Sequence, residues 1–344
     1  MPLTAQGIDD VVDALYTGNT GGGELKQLAR LFSPAFVKNL EKLLQAELQV
    51  QREPYRSEVT VELSYIDKIP VASFNPGIND VHGQPITERT EIGDAAFFYI
   101  EKLHVNGAWC RPKARGLILQ AKQATSAKLP KQVPIVPLPT KQNDSTLKEL
   151  ALLSAWPTFD LAFTGSSKEL FQKGYSINPN AAAVPPHGWY IGASPKTKAP
   201  WFPHWKAGPC QNGAICDETF GTLLYAVIEG NGCINGVESV GQAFAYDKSR
   251  LEAPDFKLAP VANPPDWSDL CHQIMLTCKA YEAPQSIFGG YGKKRTVGLS
   301  TFHAGPFSAI YELIAQFSRN LFEPKRRFAV LTVTRTSGEG VLPV

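Results

Sequence analysis

The sequence has no long hydrophobic run and almost no net charge. No segment approaches the roughly 20 apolar residues that a membrane-spanning helix needs, and residues 1–10 show no signal-peptide pattern. The 34 basic and 32 acidic residues give a formal net charge of +2. Because bulk charge then does not attract nucleic acid, any such binding needs a local basic patch. These absences predict a soluble cytoplasmic protein that does not bind membranes.

Closely spaced cysteine pairs are also missing. The six cysteines are scattered over 344 residues, which is typical of a reducing compartment and not of a disulfide scaffold. His204, Cys210 and Cys216, with His187 nearby, are the best available zinc ligands, but their spacing matches no common zinc site. A cysteine nucleophile with a histidine base stays open, although no local signature selects a pair.

The chain has enough apolar residues, 43%, for a large core. Hydrophobic periodicity predicts a short helix after residue 24 and then, from residue 34 to 164, the order helix, three strands, helix, strand. Those elements are expected at residues 34–48, 59–65, 94–100, 114–123, 146–156 and 159–163.

Beyond residue 165 the composition changes to many prolines, glycines and aromatic residues. Helices are expected at residues 218–229, 265–281 and 307–322, and a closing strand at residues 328–336. We therefore divide the chain into an N-terminal segment, a core and a C-terminal region, at residues 1–23, 24–165 and 166–344. The C-terminal region is either a second domain for recognition or partner binding, or an elaboration of the core.

One predicted strand has a polar end that is unusual for a buried element. Gln120 and Lys122 alternate onto the same side of the strand at residues 114–123. Asp94 opens the preceding strand, so antiparallel pairing brings it close to both. A hard cation such as Mg²⁺ prefers oxygen ligands, and the Gln120 amide and the Ala121 carbonyl supply neutral ones. Lys122 is suited to orienting water or stabilising charge on a phosphate.

These residues carry a resemblance to a known family. Glu91-Ile92-Gly93-Asp94 followed by Leu119-Gln120-Ala121-Lys122 resembles the signature of the PD-(D/E)XK, or restriction-endonuclease-like, nucleases, and glutamine before x-Lys resembles their Mrr-like branch. The core order of that family is also helix, three strands, helix, strand. The resemblance implies an α/β restriction-endonuclease-like core and a Mg²⁺- or Mn²⁺-dependent endonuclease acting on DNA.

The resemblance also implies roles for individual residues. Asp94 is the expected metal ligand, Gln120 the variant second position and Lys122 the catalytic lysine. An acidic residue of the first helix often completes such sites, and Glu47 is the first candidate. Three other acidic residues compete with it, namely Glu41, Glu62 and Glu91.

Basic residues near the proposed site are candidates for phosphate contacts, although a charge run is more often a solvated surface. They form two groups in the sequence, Arg111, Lys113 and Arg115, and Lys293, Lys294 and Arg295. The tryptophan-rich stretch at residues 189–205 is suited to base stacking or, equally, to packing.

The leading hypothesis is an antiviral defence or restriction nuclease in bacteria, acting with a partner protein. A homo-oligomer is left open, because cutting both strands commonly needs two active sites. The alternative is a catalytically silent nuclease-like module that binds nucleic acid or a partner protein.

Overall fold

A large mixed sheet with helices packed on both faces forms the centre of the protein, so the predicted α/β class is confirmed. The structure is a computed structural model. It describes residues 3–17, 23–50, 56–66, 69–125, 129–163, 172–178, 185–194, 205–230, 234, 240–252, 258–279, 298–303 and 328–339. Among these residues, no helix is both long enough and apolar enough to cross a membrane.

The elements follow one another along the chain with no helix between the first six strands. The helices of the described residues are α1 (Ala5–Tyr16), α2 (Glu24–Leu31), α3 (Pro34–Val50), α4 (Ser145–Ala155), α5 (Phe220–Glu229), α6 (Lys248–Leu251) and α7 (Trp267–Lys279). The strands are β1 (Arg56–Ile66), β2 (Pro70–Phe74), β3 (Thr90–Glu91), β4 (Ala95–Val105), β5 (Ala108–Trp109), β6 (Lys113–Gln123), β7 (Phe159–Phe163), β8 (Gln172–Tyr175), β9 (Gly188–Ala193), β10 (Trp205–Pro209), β11 (Glu218–Thr219), β12 (Gln242–Ala243), β13 (Gly298–His303) and β14 (Phe328–Gly338).

The main sheet has the strand order β11-β10-β9-β6-β4-β14-β1-β13, with β5 on β4 and β12 on β6. Strands β4 and β6 are antiparallel, as predicted, and Ala95 lies opposite Leu119. Strand β9 lies parallel to β6, and β14 lies parallel to β4 and antiparallel to β1. The sheet therefore combines strands from both sides of residue 165.

The predicted chain order is present as α3, β1, β4, β6, α4 and β7, with β2, β3 and β5 in addition, and the sheets arrange these strands as follows. The first and second predicted core strands, β1 and β4, are not neighbours, because β14 is hydrogen-bonded between them. The last predicted core strand, β7, lies in a second sheet of order β3-β2-β7-β8, and β9 takes the place beside β6. A short, fully buried strand such as β7 suits either sheet, and local periodicity does not tell which one it joins.

Side chains of β6 alternate between the two faces of the sheet, as predicted. Leu117, Leu119 and Ala121 join a core with helices α1, α2, α3 and α5. Ile118 joins a second core with α4, α7 and the second sheet, and this is also the side of Gln120 and Lys122. The polar end of β6 is therefore placed under α4.

The helices begin close to the predicted positions, with three differences, which are the cap of α4 and the unpredicted helices α1 and α6. The hydroxyl of Ser33 accepts a hydrogen bond from Phe36 N at the start of α3, as expected of a cap. Helix α4 is capped by Asp144 instead of the predicted Ser145, because the Asp144 carboxylate accepts from Thr146 N. Helix α1 was not predicted, and it docks on α5 through Asp9. The helix predicted at residues 307–322 lies outside the described residues.

A buried histidine next to the second core makes stability depend on pH. His187 is 5% exposed, and its ring lies 5.8 Å from Trp156 and 4.8 Å from Trp267, between ring centroids. Burial lowers its pKa from 6.5 to about 4. Between pH 4 and pH 6.5, the unfolded chain therefore binds a proton at His187 that the folded chain does not bind. This contribution to stability is complete above pH 6.5 and is lost as the pH falls to 4, by about 3 kcal/mol.

Replacing His187 by phenylalanine is expected to remove this part of the pH dependence. The free energy of unfolding, from urea titrations at pH 7 and pH 4, should fall by about 3 kcal/mol less in His187→Phe than in the wild type. Comparing each protein with itself at two pH values cancels any change in packing. An identical pH dependence in both proteins would contradict the assignment.

Candidate active site

Asp94 directly precedes β4 and is held there by the backbone and side chains of β6. Its amide donates to the Leu119 carbonyl at 2.9 Å, and its carboxylate oxygen Oδ2 accepts from Ala121 N at 2.8 Å. The same oxygen accepts from Nε2 of Gln120 at 2.5 Å. A Cβ atom on Gly93 would lie 2.9 Å from the Leu119 carbonyl oxygen, so glycine is needed for this close approach. The structure thus brings Asp94 and Gln120 together as predicted.

Lys122 forms a buried ion pair with a residue of helix α4. Its Nζ lies 2.7 Å from Oε2 of Glu149. Lys122 is 7% exposed and Glu149 is 2% exposed. Sequence reasoning missed Glu149, because a charged pair such as Lys148-Glu149 on a helix normally points to solvent. The only indication in the sequence that Glu149 is buried was that the residues around it in α4 are apolar on nearly every side of the helix.

The charges around Lys122 affect both members of the pair. Burial raises the pKa of Glu149 to about 7, against the opposing effect of Lys122, and the carboxylates of Asp94 and Glu91 raise it further. Burial lowers the pKa of Lys122, but Glu149, Asp94 and Glu24 together outweigh this and raise it. Lys122 is therefore a cation at neutral pH, which suits a hydrogen-bond donor and not a base.

A small cavity lies between β6 and α4, and its lining includes Gln120, Lys122, Glu149 and Pro134. Its volume of about 10 Å³ is roughly what one water molecule needs. The Oε1 atom of Gln120 is buried and has no hydrogen-bond partner among the described residues. Such an oxygen is costly unless something binds it.

The available ligands fit a hard cation. No group of three or more His, Cys, Asp or Glu side chains in the described part of the chain is arranged to hold a metal. A cation here would rest on the Asp94 carboxylate and the Ala121 carbonyl, and on Oε1 of Gln120 after rotation of its amide, because Nε2 of Gln120 donates to both Asp94 Oδ2 and the Ala121 carbonyl. Mg²⁺ commonly uses one or two carboxylates and retains several waters, so this oxygen set fits it.

The acidic residue supplied by a helix differs from the predicted one. Glu47 precedes Leu48, whose carbonyl accepts from Arg335, and Arg335 lies opposite Glu101, far along β4 from Asp94. The structure therefore does not bring Glu47 to Asp94. Glu41 is bound to Val61 N. The helical carboxylates at this end are Glu149 of α4 and Glu24, the first residue of α2, which accepts from Gln123 N at 3.2 Å.

The first predicted group of phosphate contacts lies far from Lys122. Lys122 follows Arg115 by seven residues on the same strand, which places their Cα atoms about 23 Å apart. Lys113, at the start of the same strand, is farther still, and Arg111 precedes the strand. The structure therefore does not bring these residues together with Asp94. The second group, Lys293, Lys294 and Arg295, lies outside the described residues.

The cysteine chemistry considered above gains no support. Cys210 and Cys216 are buried, and burial raises the pKa of both thiols, that of Cys216 to about 12. Burial likewise raises the pKa of Cys271 and Cys278. These four groups are protonated at neutral pH, whereas a cysteine nucleophile must be a thiolate. His204 lies outside the described residues.

Comparison of the chain with protein-family models, with curated proteins and with solved structures finds no match. The candidate site combines a carboxylate bound to an amide, a buried oxygen without a partner among the described residues, and a lysine held as a cation by carboxylates.

Proposed function

We propose that the protein is a Mg²⁺- or Mn²⁺-dependent endonuclease that hydrolyses phosphodiester bonds of DNA. The observation that carries the proposal is the meeting of Asp94, Gln120 and Lys122 at one end of the β4–β6 pair. The resemblance of their sequence motif to the Mrr-like branch supports the reaction and a restriction-endonuclease-like core. It also supports a role in bacterial defence, with a partner protein.

Each side chain has a distinct task in the proposed reaction. Without a cation, Nε2 of Gln120 fixes the Asp94 carboxylate, and rotation of the amide would bring Oε1 of Gln120 to a bound cation. Glu149 holds the Lys122 ammonium, which donates hydrogen bonds to the attacking water and to phosphate oxygens that gain negative charge. When bound to Asp94, Gln120 and Ala121, Mg²⁺ would supply Lewis-acid stabilisation of that charge.

Access of DNA requires movement around the cavity, because its volume holds one water and not a phosphate group. Pro134 belongs to the segment that lines it. The neighbouring Val133 is held to the turn at residues 211–216 by backbone hydrogen bonds to Ala214 and from Gly213. Opening of this segment by DNA or a partner protein is therefore part of the proposal.

The test is cleavage of supercoiled plasmid and linear duplex DNA by the purified chain with Mg²⁺ or Mn²⁺. Cleavage is expected in the wild type and should disappear with EDTA and in Asp94→Ala, because both remove the cation. Lys148→Ala is the matched control, since Lys148 neighbours Glu149 on α4 but pairs with Glu88 instead. Cleavage that persists in Asp94→Ala would place the activity elsewhere or in a contaminant.

The closed cavity also favours a second candidate, a catalytically silent module that binds nucleic acid or a partner protein. Asp94, Gln120, Lys122 and Glu149 are all less than a tenth exposed, as expected of a polar cluster retained for structure. Absence of cleavage by the wild type, together with DNA binding that weakens with salt, would support this candidate over the nuclease.

A further inference from the structure

A large groove lies at the other end of the β4–β6 pair from Asp94. Its volume is about 740 Å³, within the range of small-molecule sites. It is formed where the C-terminal ends of α3 and α5 meet β4, β6 and β14, and it is lined by Arg111, Lys113, Arg115 and Arg335, with Glu101 and Glu229. We call this the basic groove. It shares no lining residue with the cavity beside Lys122.

Arg335 is the most informative residue of the basic groove. It is only 5% exposed, and its Nη2 donates to the Leu48 carbonyl at 2.7 Å. Its Nε is buried and has no hydrogen-bond partner in the described part of the chain. A buried guanidinium is costly when its donors are not satisfied. Because Arg335 lines the groove, an anion there would lie beside this buried positive charge.

Arg115 provides a second guanidinium that the fold holds in place. Its Nη1 donates to the Gly241 carbonyl at 3.4 Å. A Cβ atom on Gly230, the left-handed cap of α5, would lie 2.8 Å from its Nε. The side chain is thus packed against the end of α5 and is half-buried. Arg111 and Lys113 are exposed and add charge at the rim.

The charges and size of the groove define its ligand. Four basic and two acidic side chains line it, so the local charge is positive. The planar arginine fork matches phosphate oxygens, whereas Glu101 and Glu229 are acceptors for hydroxyl or amino groups. The volume of about 740 Å³ accommodates a single nucleotide. We propose that the basic groove binds a small phosphate ester of nucleotide size, independently of the candidate active site.

The test is binding of AMP, ADP, ATP, GTP and inorganic pyrophosphate to the full chain, by calorimetry and thermal shift. At least one is expected to bind saturably and to raise the melting temperature. Arg115→Ala and Arg335→Met should each weaken that affinity about tenfold or more, since hydrogen bonds to charged groups are strong. Lys131→Ala removes an exposed lysine elsewhere and should leave the affinity unchanged.

Three outcomes would overturn this proposal. The first is that none of the five compounds binds at millimolar concentration. The second is that the variants bind as the wild type does; if Arg335→Met does not fold, the exposed pair Arg111→Ala and Lys113→Ala decides the question. The third is affinity for oligonucleotides that grows with their length, without binding of mononucleotides, which would assign the groove to nucleic acid. None of these depends on whether the protein cleaves DNA.

Discussion

Replacing Lys122 by methionine is expected to reduce DNA cleavage by about 100-fold or more and to destabilise the fold by about 3–5 kcal/mol. Methionine retains the aliphatic part of the side chain but removes the charge. Glu149, 2% exposed, would then be a buried carboxylate without its partner 2.7 Å away. Uptake of a proton by Glu149 limits the loss as the pH falls. Urea titrations and cleavage rates measure the two effects.

The double variant Lys122→Met with Glu149→Met separates the structural role from the catalytic one. Replacing both members of a buried ion pair by apolar residues is often neutral or stabilising, so stability should return to near the wild-type value. Cleavage should not return, because the cation that the reaction needs is missing. Recovery of both together would show that Lys122 only holds α4 on the sheet.

The pair Lys148–Glu88 provides the matched control for this cycle. Its Nζ–Oε2 distance is 2.9 Å, similar to that of the buried pair, but the Glu88 side chain is 62% exposed. An ion pair that is open to solvent contributes about 0–1 kcal/mol. Lys148→Met should therefore change stability much less than Lys122→Met and leave cleavage intact.

The part of the site that could be predicted from the sequence is the part carried by strands. Alternation along β6 places Gln120 and Lys122 on one side, and antiparallel pairing with β4 then brings Asp94 to them. Glu149 and Glu24 could not be found in this way. Their positions depend on how α4 and α2 pack on the sheet, which the sequence of a helix does not determine by itself.

The same distinction holds for the fold. The strands β1, β4, β6 and β14 were all predicted close to their observed positions, because each has a clear pattern of alternation or burial. Their order in the sheet was not, since β14 follows β1 by more than 260 residues and nothing in the local sequence of either strand specifies the partner. Long-range pairing of this kind depends on the whole core.

The position of β14 leads to a strong prediction for the isolated core region. Residues 24–165 expressed alone are expected not to fold. In the full chain β14 pairs with β1 from Arg56 to Ile66 and with β4 from Ala95 to His104. Without it, β1 has no neighbour joining it to β4, and β6 loses β9. Circular dichroism and size-exclusion chromatography should show an unfolded or aggregated fragment.

A substitution in the full chain tests the same contact without removing residues. Leu331 is fully buried in the core below β14, and Leu331→Asp would place a carboxylate there at a cost of several kcal/mol. Thr336→Asp, on the same strand at a half-buried position, is the control and should cost much less stability.

A fragment of residues 24–165 that is monomeric and melts cooperatively would contradict the prediction that the isolated core region does not fold. It would mean that β1, β4 and β6 can form a stable sheet without β14, and that β14 is inserted into a unit already stable without it.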